Sequence, residues 1–464
     1  MRVAIISFGS QGDTRPLIAL GQSLVRAGHQ AILLADPEFA ELAVEAGVEF
    51  LPLAGGSVRD LFTNQKIAKP NRNGFNVWGV MRVLAEHMGR YTDAWGRQLL
   101  TAASDADVVV ASGLTFFIGL AVAEALGLPT VAASLQPVVP TRDFPPAIIR
   151  AAGMPRIVYP ALHRVVSVAV WFLTARSVQR LRHSTLGLPK WPWHGPARQM
   201  LRQRTPLLVA VSPTVVPRPR DWPDFVHLTG YWYLDTADAY EPPPHLLRFL
   251  EADRPTVYVG FGSMAGFDPL ATLELLVEAL GGRRAVIAGG WGGLASAALP
   301  DNILCIEAAP HDWLLPRMSL AIHHGGAGTT AAVARAGIPQ VVIPHITDQP
   351  FWAACVQSLG VGPAPIERRT LTAGNLAVAI RAAERPAMRQ AAAALGTRIR
   401  REDGVGEAVR FIEQVARSNR SPQGSPPIAV PVPHINVGSE NFAPGAVAAF
   451  RQAGEGPIGV TPAG

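Results

Sequence analysis

The chain has 464 residues, a length that predicts two or three domains, each large enough for its own hydrophobic core. Apolar residues make up 48% of the chain and charged residues only 16%, which favours large buried sheets and excludes global disorder. The net charge is +6, but the basic residues are scattered and form no Lys/Arg block. This pattern argues against a nucleic-acid partner and suits an anionic small ligand or an anionic membrane surface.

The two cysteines, Cys305 and Cys355, are too few for a disulfide framework or a Cys-rich zinc site. Their scarcity fits a reducing cytoplasm. The N-terminus reads as a strand followed by a turn, and not as a signal peptide. The longest apolar run, residues 165–175, is shorter than the roughly 20 residues that cross a bilayer. The sequence therefore predicts a soluble, cytoplasmic protein.

Apolar runs alternate with helical segments through the first half of the chain. Strands are predicted over residues 2–8, 31–36, 48–53, 107–112, 130–134 and 207–211, the last of which closes the sheet. A helix over residues 16–27 follows the first strand. The alternation is typical of a parallel sheet with helices on both faces. The looser, aromatic-rich stretch between Gly55 and Pro206 is expected to build a ligand-facing wall.

A second alternation begins after a Pro-rich stretch and runs to about residue 416. Its predicted strands cover residues 256–261, 285–288, 303–306, 320–323 and 340–343. We therefore predict an α/β protein with two facing Rossmann-like domains and a ligand cleft between the carboxyl ends of their strands. The predicted divisions are a first domain over 1–230, a linker over 231–250, a second domain over 251–417 and a disordered Pro/Gly-rich tail over 418–464.

The strongest local motif is HHGGAGTT, residues 323–330, which lies between a predicted strand and an Ala-rich helix. Glycines let the backbone approach a phosphate closely, and the N-terminus of a helix stabilises its negative charge. The hydroxyls of Thr329 and Thr330 and an imidazole can donate further hydrogen bonds. A Gly-rich turn that only permits tight packing is the alternative, and the octet alone does not exclude it.

Two further loops follow strands of the same domain. Asp348 and Gln349 stand at a strand end, where they can bind sugar hydroxyls. His311 lies in APHDWLLP, a plausible wall for a nucleobase. Taken singly, each loop is more often a capped turn than a site, but three such loops at successive strand ends of one domain are much less easily accidental and favour a ligand site.

The loop GSQGDTRP, residues 9–16, follows the first strand. Asp36, at the end of the second strand, would fit the ribose-binding acid of a dinucleotide-binding fingerprint. That fingerprint also needs glycines at the positions of Gln11 and Thr14, so this loop does not match it. Asp13 could be a general base or merely a helix cap, and this loop alone leaves both open.

Several stretches together resemble one family, the inverting nucleotide-sugar glycosyltransferases of the GT-B fold and family 1 type. The similar stretches span residues 7–363 and read SFGSQGDTRPLIALGQSL, GYWYLD, VYVGFGSM, APHDWLLP, HHGGAGTTAAVARAGIPQVVIP and DQPFWAACVQSLGVGP. The resemblance extends to sterol glucosyltransferases and to bacterial antibiotic-tailoring enzymes. GYWYLD and APHDWLLP favour the sterol branch, which uses UDP-glucose.

The resemblance implies that the first domain binds the acceptor and the second the donor, with Asp13 as the catalytic base. The donor-binding residues that it implies are Ser263, His311, His324, Gly326, Gly328, Thr329, Asp348 and Gln349. It also implies a metal-independent reaction with no cofactor besides the nucleotide sugar. Plant members carry a His at the place of Asp13, oriented by a carboxylate, but residues 110–113 contain no acid. Direct deprotonation by Asp13 is therefore expected.

The expected function is inverting transfer of a hexose, from UDP-glucose, to a hydroxyl of a lipophilic acceptor such as a sterol or polyketide. Three alternatives remain: a dTDP-deoxysugar transferase, a non-catalytic nucleotide-sugar sensor and a nucleotide-sugar epimerase. The expected partners are the two small-molecule substrates, without nucleic acid.

The segment Ile157–Leu181 combines apolar residues with several Arg. It could lie in the interface of an anionic membrane as a peripheral contact, or it could be a buried helix that walls the acceptor cleft. Apolar residues at nearly every position from Val165 to Leu173 favour the buried helix.

Overall fold

The computed structural model describes residues 1–58, 61, 77–149, 154–251, 254–261, 269–288 and 299–420. In these residues the chain forms two parallel β-sheets with helices on their faces, as predicted. The predicted phosphate-contacting Ser263 and the tail from residue 421 lie outside the described residues.

The first sheet has seven strands in the order β3-β2-β1-β4-β5-β6-β7. Their bounds are β1 Arg2–Ile6, β2 Gln30–Ala35, β3 Glu49–Pro52, β4 Val108–Ser112, β5 Thr130–Ser134, β6 Leu207–Val209 and β7 Val226–Leu228. Ile5 pairs with Leu33 on one side and Val110 on the other. The prediction that residues 207–211 close the sheet is wrong, because β7 lies outside them. A three-residue strand containing His227 is too short and too polar to give a periodic signal.

The second sheet has five strands in the order β10-β9-β8-β11-β12. Their bounds are β8 Thr256–Gly260, β9 Arg284–Ala288, β10 Ile303–Ile306, β11 Leu320–His323 and β12 Gln340–Val342. In both sheets the central strands are covered on both faces, so they are apolar without alternation. This is why short apolar runs located them in the sequence to within one or two residues.

Helices alternate with the strands in both halves. Their bounds are α1 Gln11–Arg26, α2 Ala40–Glu45, α3 Val77–Ala102, α4 Phe116–Leu126, α5 Tyr159–Arg180, α6 Ala197–Arg202, α7 Pro244–Leu250, α8 Pro269–Leu280, α9 His311–Leu314, α10 Ala327–Ala336, α11 Gln349–Ser358, α12 Ala373–Ala383, α13 Pro386–Ile399 and α14 Gly404–Arg420. Helix α1 begins five residues earlier than predicted, because Ser10 caps it and the loop that carries Asp13 forms its first turn.

The last helix, α14, packs against the first sheet and not against the second. Ala408, Val409 and Ile412 are buried in the same cluster as Leu17 of α1. The predicted boundary at residue 417 is therefore wrong in two respects: the second domain ends before α14, and the helix continues to Arg420. A strongly amphipathic helix can pack on either half, and its sequence does not specify which one.

The two halves share an apolar cluster. Val211, Trp222 and Tyr231 of the first half pack with Val342 and Trp352 of the second. Continuous packing of this kind fixes the halves relative to each other at the base of the cleft between them.

Candidate active site

The loop after β1 presents Asp13 on the first turn of α1. The backbone N–H and the hydroxyl of Ser10 donate to Asp13 Oδ2 over 2.8 and 3.0 Å. A Cβ atom at Gly9 would lie 2.4 Å from Asp13 Oδ2, so only glycine leaves room for this carboxylate. Asp13 is thus the third residue of α1, the partner of Ser10 in a capping box, and not the cap itself. Its second oxygen, Oδ1, has no hydrogen-bond partner among the described residues.

The electrostatic surroundings suit Asp13 to accept a proton. Burial in the cleft wall raises the pKa of the Asp13 carboxyl, the bonds from Ser10 oppose that rise, and the charge of Asp348 adds to it. The Asp13 side chain is nevertheless open to solvent on one side. The rise in its pKa therefore comes from the protein groups beside the carboxylate, which displace part of its water, and not from a residue that covers it. A carboxylate with a raised pKa is a stronger base than an exposed one.

The octet HHGGAGTT forms the predicted strand-to-helix turn between β11 and α10. Gly326 caps α10, and the N–H groups of Ala327, Gly328 and Thr329 have no intrahelical acceptor. A Cβ atom at Gly328 would meet no heavy atom within 4 Å, so the space above it is open. Gly326 is different, because a Cβ atom there would lie 2.5 Å from His324 Nε2. The turn therefore offers free N–H donors beside open space, which an anion can occupy.

His323, the first residue of the octet, holds this turn in shape. It is fully buried; the Gly325 N–H donates to its Nδ1 over 3.0 Å, and its Nε2 lies 2.9 Å from Gln340 Oε1. Nδ1 accepts a bond, so the ring proton is on Nε2. Burial lowers the pKa of His323 to about 3, and the ring stays neutral at neutral pH.

His324 is the second imidazole of the turn and is only partly buried. Its Nδ1 is buried and has no hydrogen-bond partner in the part of the chain that the structure describes. Burial lowers the pKa of His324, while the Gly260 carbonyl and the Asp348 charge oppose that fall. An anion bound beside it would raise this pKa and favour the charged ring.

His311 begins α9 after β10, and its Nε2 lies 3.1 Å from the hydroxyl of Tyr258 in β8. Burial lowers the pKa of His311 to about 4, with Arg15 and His324 adding to the fall. The ring is neutral at neutral pH and can donate or accept a hydrogen bond. The charge of Arg15, the fifth residue of α1, acts on His311 from the first half of the chain.

Asp348 and Gln349 follow β12 and are both buried. Asp348 Oδ2 accepts from Trp352 Nε1 over 2.7 Å, and Oδ1 accepts from the Thr347 hydroxyl over 2.9 Å. Gln349 Oε1 accepts from the N–H groups of His345 and Ile346. Thr347 has a φ of 50°, in the left-handed region that costs a β-branched residue about 1–3 kcal/mol. Strain of this kind at a turn is typical of a functional site.

Two family models match the chain. One, described as the glycosyltransferase family 28 N-terminal domain, matches residues 3–145. The other, described as the erythromycin biosynthesis protein CIII-like C-terminal domain, matches residues 292–409. The two matches fall on the first and the second sheet respectively.

Curated relatives match most of the chain. A sterol 3-beta-glucosyltransferase of Arabidopsis thaliana is 33% identical over 426 residues, which cover 88% of this chain and 67% of that protein. The chain belongs to this glycosyltransferase family. A sterol 3-beta-glucosyltransferase of Neurospora crassa is 32% identical over 437 residues, 89% of this chain but only 27% of that longer protein.

Solved structures show that the glycosyltransferase has the GT-B fold. The glycosyltransferase of kitacinnamycin aligns with a TM-score of 0.64 and 22% identity, covering 89% of this chain and 99% of that one. The glycosyltransferase VinC in complex with dTDP aligns with a TM-score of 0.62 and 19% identity, covering 90% and 100%. The predicted fold and family are thus confirmed.

The structure of the glycosyltransferase brings most of the predicted site residues to one cleft. The pKa of His324 responds to Asp348, that of His311 to His324, and that of Asp13 to Asp348 across the cleft. The roles assigned to these residues remain predictions, and Ser263 cannot be placed.

The sequence analysis missed Gln136, which follows β5. Its Nε2 donates to Asp348 Oδ2 over 2.9 Å and so joins the two halves of the glycosyltransferase. Its position directly after a strand of the parallel sheet was the available signal, because such residues line the cleft. His323 and Arg15 were also missed as parts of the site.

Proposed function

We propose that this glycosyltransferase transfers glucose from UDP-glucose to the hydroxyl of a sterol-like acceptor, with inversion and without a metal ion. The observation that supports it best is that Asp348 interacts electrostatically both with Asp13 of the first half and with His324 of the glycine-rich turn. The similarity to sterol 3-beta-glucosyltransferases favours the acceptor class and the sugar.

The first half of the reaction is removal of a proton. The acceptor O–H gives its proton to Asp13 Oδ1 while its oxygen attacks the anomeric carbon of the sugar. Ser10 holds the carboxylate through Oδ2, which keeps Oδ1 available for that proton. An alcohol has a high pKa, so the proton must leave as the new bond forms, and a positioned base supplies typically 10²–10⁴-fold in rate.

The second half is departure of the nucleotide diphosphate. The bond from the anomeric carbon to the phosphate oxygen breaks, and the negative charge grows on that oxygen. In this proposal the free N–H groups at the start of α10 and the imidazole of His324, whose buried Nδ1 has no partner among the described residues, stabilise this charge. A single displacement of this kind inverts the configuration at the anomeric carbon.

We propose that this charge stabilisation replaces a metal ion. Among the residues that the structure describes, no three His, Cys, Asp or Glu side chains group as a metal site.

Free thiols at Cys305 and Cys355 suit a cytoplasmic location. No cofactor besides the nucleotide sugar is proposed.

Incubation of the purified chain with a sterol and either UDP-glucose or dTDP-glucose tests the proposal, with the glycoside detected by mass spectrometry. We expect product from UDP-glucose, unchanged by a chelator. Transfer only from a dTDP-sugar would show that the donor is not UDP-glucose. Strict dependence on a divalent ion would refute the metal-free reaction. Donor binding without transfer to any acceptor would indicate a nucleotide-sugar sensor.

A further inference from the structure

The helix α5 carries an exposed apolar face. Ile157, Val165 and Phe172 are 76%, 63% and 55% exposed, although they are large hydrophobic residues. Trp193 is 74% exposed, and its ring stacks on that of Phe172 with centroids 6.3 Å apart. We call these four residues the α5 apolar surface. This finding corrects the sequence interpretation of a helix that is buried on most sides.

Helix α5 does not separate apolar and polar residues between core and solvent as an ordinary surface helix does. Its buried residues include His163, Thr174 and Ser177, each of which is hydrogen-bonded, whereas its exposed positions include Val165 and Phe172. A helix that faces water normally directs its apolar stripe into the core. Exposed apolar residues that lie together on one face indicate an interaction surface.

The helix packs along the protein and does not stand free of it. With its flanking turns it covers Arg156–Thr185, 30 residues that include an 18-residue window with a mean hydropathy of 1.5, enough by length and composition to cross a membrane. Yet Trp171 is 1% exposed and bonds to the Trp193 carbonyl, and Arg182 is buried in an ion pair with Glu124. One face is thus fixed to the acceptor half, which favours a helix lying along a membrane and not across it.

The charges around the surface have one sign. Residues 156–185 contain no Asp or Glu. Arg156, Arg164 and Arg176 are exposed and have no ion-pair partner among the described residues, while Arg180 is held by Asp93. Each unpaired Arg near an anionic bilayer adds to the electrostatic attraction. Another copy of this chain would present the same positive charges and be repelled.

We propose that the α5 apolar surface docks the protein on an anionic lipid bilayer. Phe172 and Trp193 enter the interface, and Arg156, Arg164 and Arg176 contact the lipid headgroups. Trp171, on the buried face, contacts Phe117 at the start of α4 with centroids 5.1 Å apart, so aromatic residues connect the surface with the carboxyl end of β4. Delivery of an acceptor from the bilayer rests on the proposed function, but the docking itself does not.

Co-sedimentation with vesicles, without donor or acceptor, tests the docking. We expect binding to phosphatidylcholine vesicles that contain about 30% phosphatidylglycerol, and much weaker binding to phosphatidylcholine alone. Binding should fall when the salt concentration rises from about 0.05 to 0.5 M. No binding at the low salt concentration would overturn the proposal, whether or not the protein transfers sugar.

Paired variants separate the two contributions. Phe172→Ser with Trp193→Ser should reduce vesicle binding at least about tenfold, because two large apolar side chains no longer enter the interface. Arg164→Gln with Arg176→Gln should remove most of the salt dependence. The matched controls are Val378→Ser, at a residue 57% exposed in α12, and Arg389→Gln in α13, and both should bind like the original chain.

Two further measurements distinguish a loss of lipid binding from misfolding and from the loss of a dimer. All variants should keep the original melting temperature and their activity on a detergent-solubilised acceptor, since none of the substituted residues lies in the site. Light scattering should show the same mass for the original chain and the Phe172/Trp193 variant. A dimer that dissociates in that variant would identify a second copy as the occupant and refute the lipid proposal.

Discussion

Gln136 and Asp348 meet across the cleft, with Gln136 Nε2 donating to Asp348 Oδ2 over 2.9 Å although 212 positions separate them in the chain. The contact joins the loop after β5 to the loop that is predicted to bind the sugar. Asp348 also interacts electrostatically with Asp13 and His324. A change at Asp348 should therefore affect the predicted base Asp13, the predicted leaving-group contact His324 and the contact with Gln136 that joins the two halves.

Removal of the Gln136 amide should weaken donor use more than folding. We expect Gln136→Ala to raise KM for the donor by up to about tenfold, the value of a bond to a charged group. Gln136→Glu should be worse, because it places a second carboxylate against Asp348. The measurement is steady-state kinetics together with the ratio of donor hydrolysis to transfer. Asn302→Ala removes a bond of similar length to the Arg283 carbonyl and serves as the control. Equal effects of Asn302→Ala and Gln136→Ala would contradict a specific role for Gln136.

Asp13→Asn should leave folding and donor binding nearly intact and reduce transfer by roughly 10²-fold or more, because an amide cannot accept the proton. The amide oxygen can still accept from Ser10, so the first turn of α1 should survive. Single-turnover assays, donor titration and melting temperature measure the three quantities. A variant that keeps more than about a third of the activity would show that Asp13 only stabilises the helix.

The pH profile of transfer should follow the ionisation of Asp13. The deprotonated form is the base, and the pKa of the carboxyl lies above its ordinary value of 3.8 in this structure. Activity is therefore expected to be full above the raised pKa and to fall as the pH drops through it. The acidic limb of kcat/KM should be absent from the residual activity of Asp13→Asn. An acidic limb that is unchanged in that variant would assign the titration to another group.

Donor binding should strengthen as the pH falls from about 7 to 5, because a bound diphosphate favours the charged form of His324, whose pKa burial lowers in the free protein. UDP-glucose is the suitable ligand, since its terminal phosphate is esterified to the sugar and has no ionisation near pH 6, unlike the free terminal phosphate of UDP. Calorimetry at several pH values should show this dependence in the original chain and its loss in His324→Gln. The same dependence in both would place the diphosphate elsewhere.

Gly328 and Gly374 provide a matched pair of substitutions. Both are the second residue of a helix, and a Cβ atom at either has room in the protein. Alanine should therefore leave stability unchanged or raise it by up to about 1 kcal/mol at both positions. Only Gly328→Ala should weaken binding of UDP, because its methyl group enters the space where a phosphate approaches the helix. Normal UDP affinity in Gly328→Ala, measured by titration, would argue against that placement.

The sequence alone determined the features that depend on neighbouring residues. Apolar strands covered on both faces, such as Val3–Ile6, produce a recognisable run, and the two parallel sheets followed from eleven predicted runs. The glycine-rich strand-to-helix turn was predictable because its glycines, its hydroxyls and the start of α10 are contiguous in residues 323–330.

Only the tertiary structure decided which distant residues meet. No local pattern indicates that Gln136 contacts Asp348, or that Ile412 of α14 is buried against the first sheet. Nor could composition decide the environment of α5, since an apolar residue such as Phe172 satisfies the same pattern against a protein core or a lipid interface. The physical reason is that hydrophobic burial has no direction: a sequence shows which side chains leave water, and packing decides what covers them.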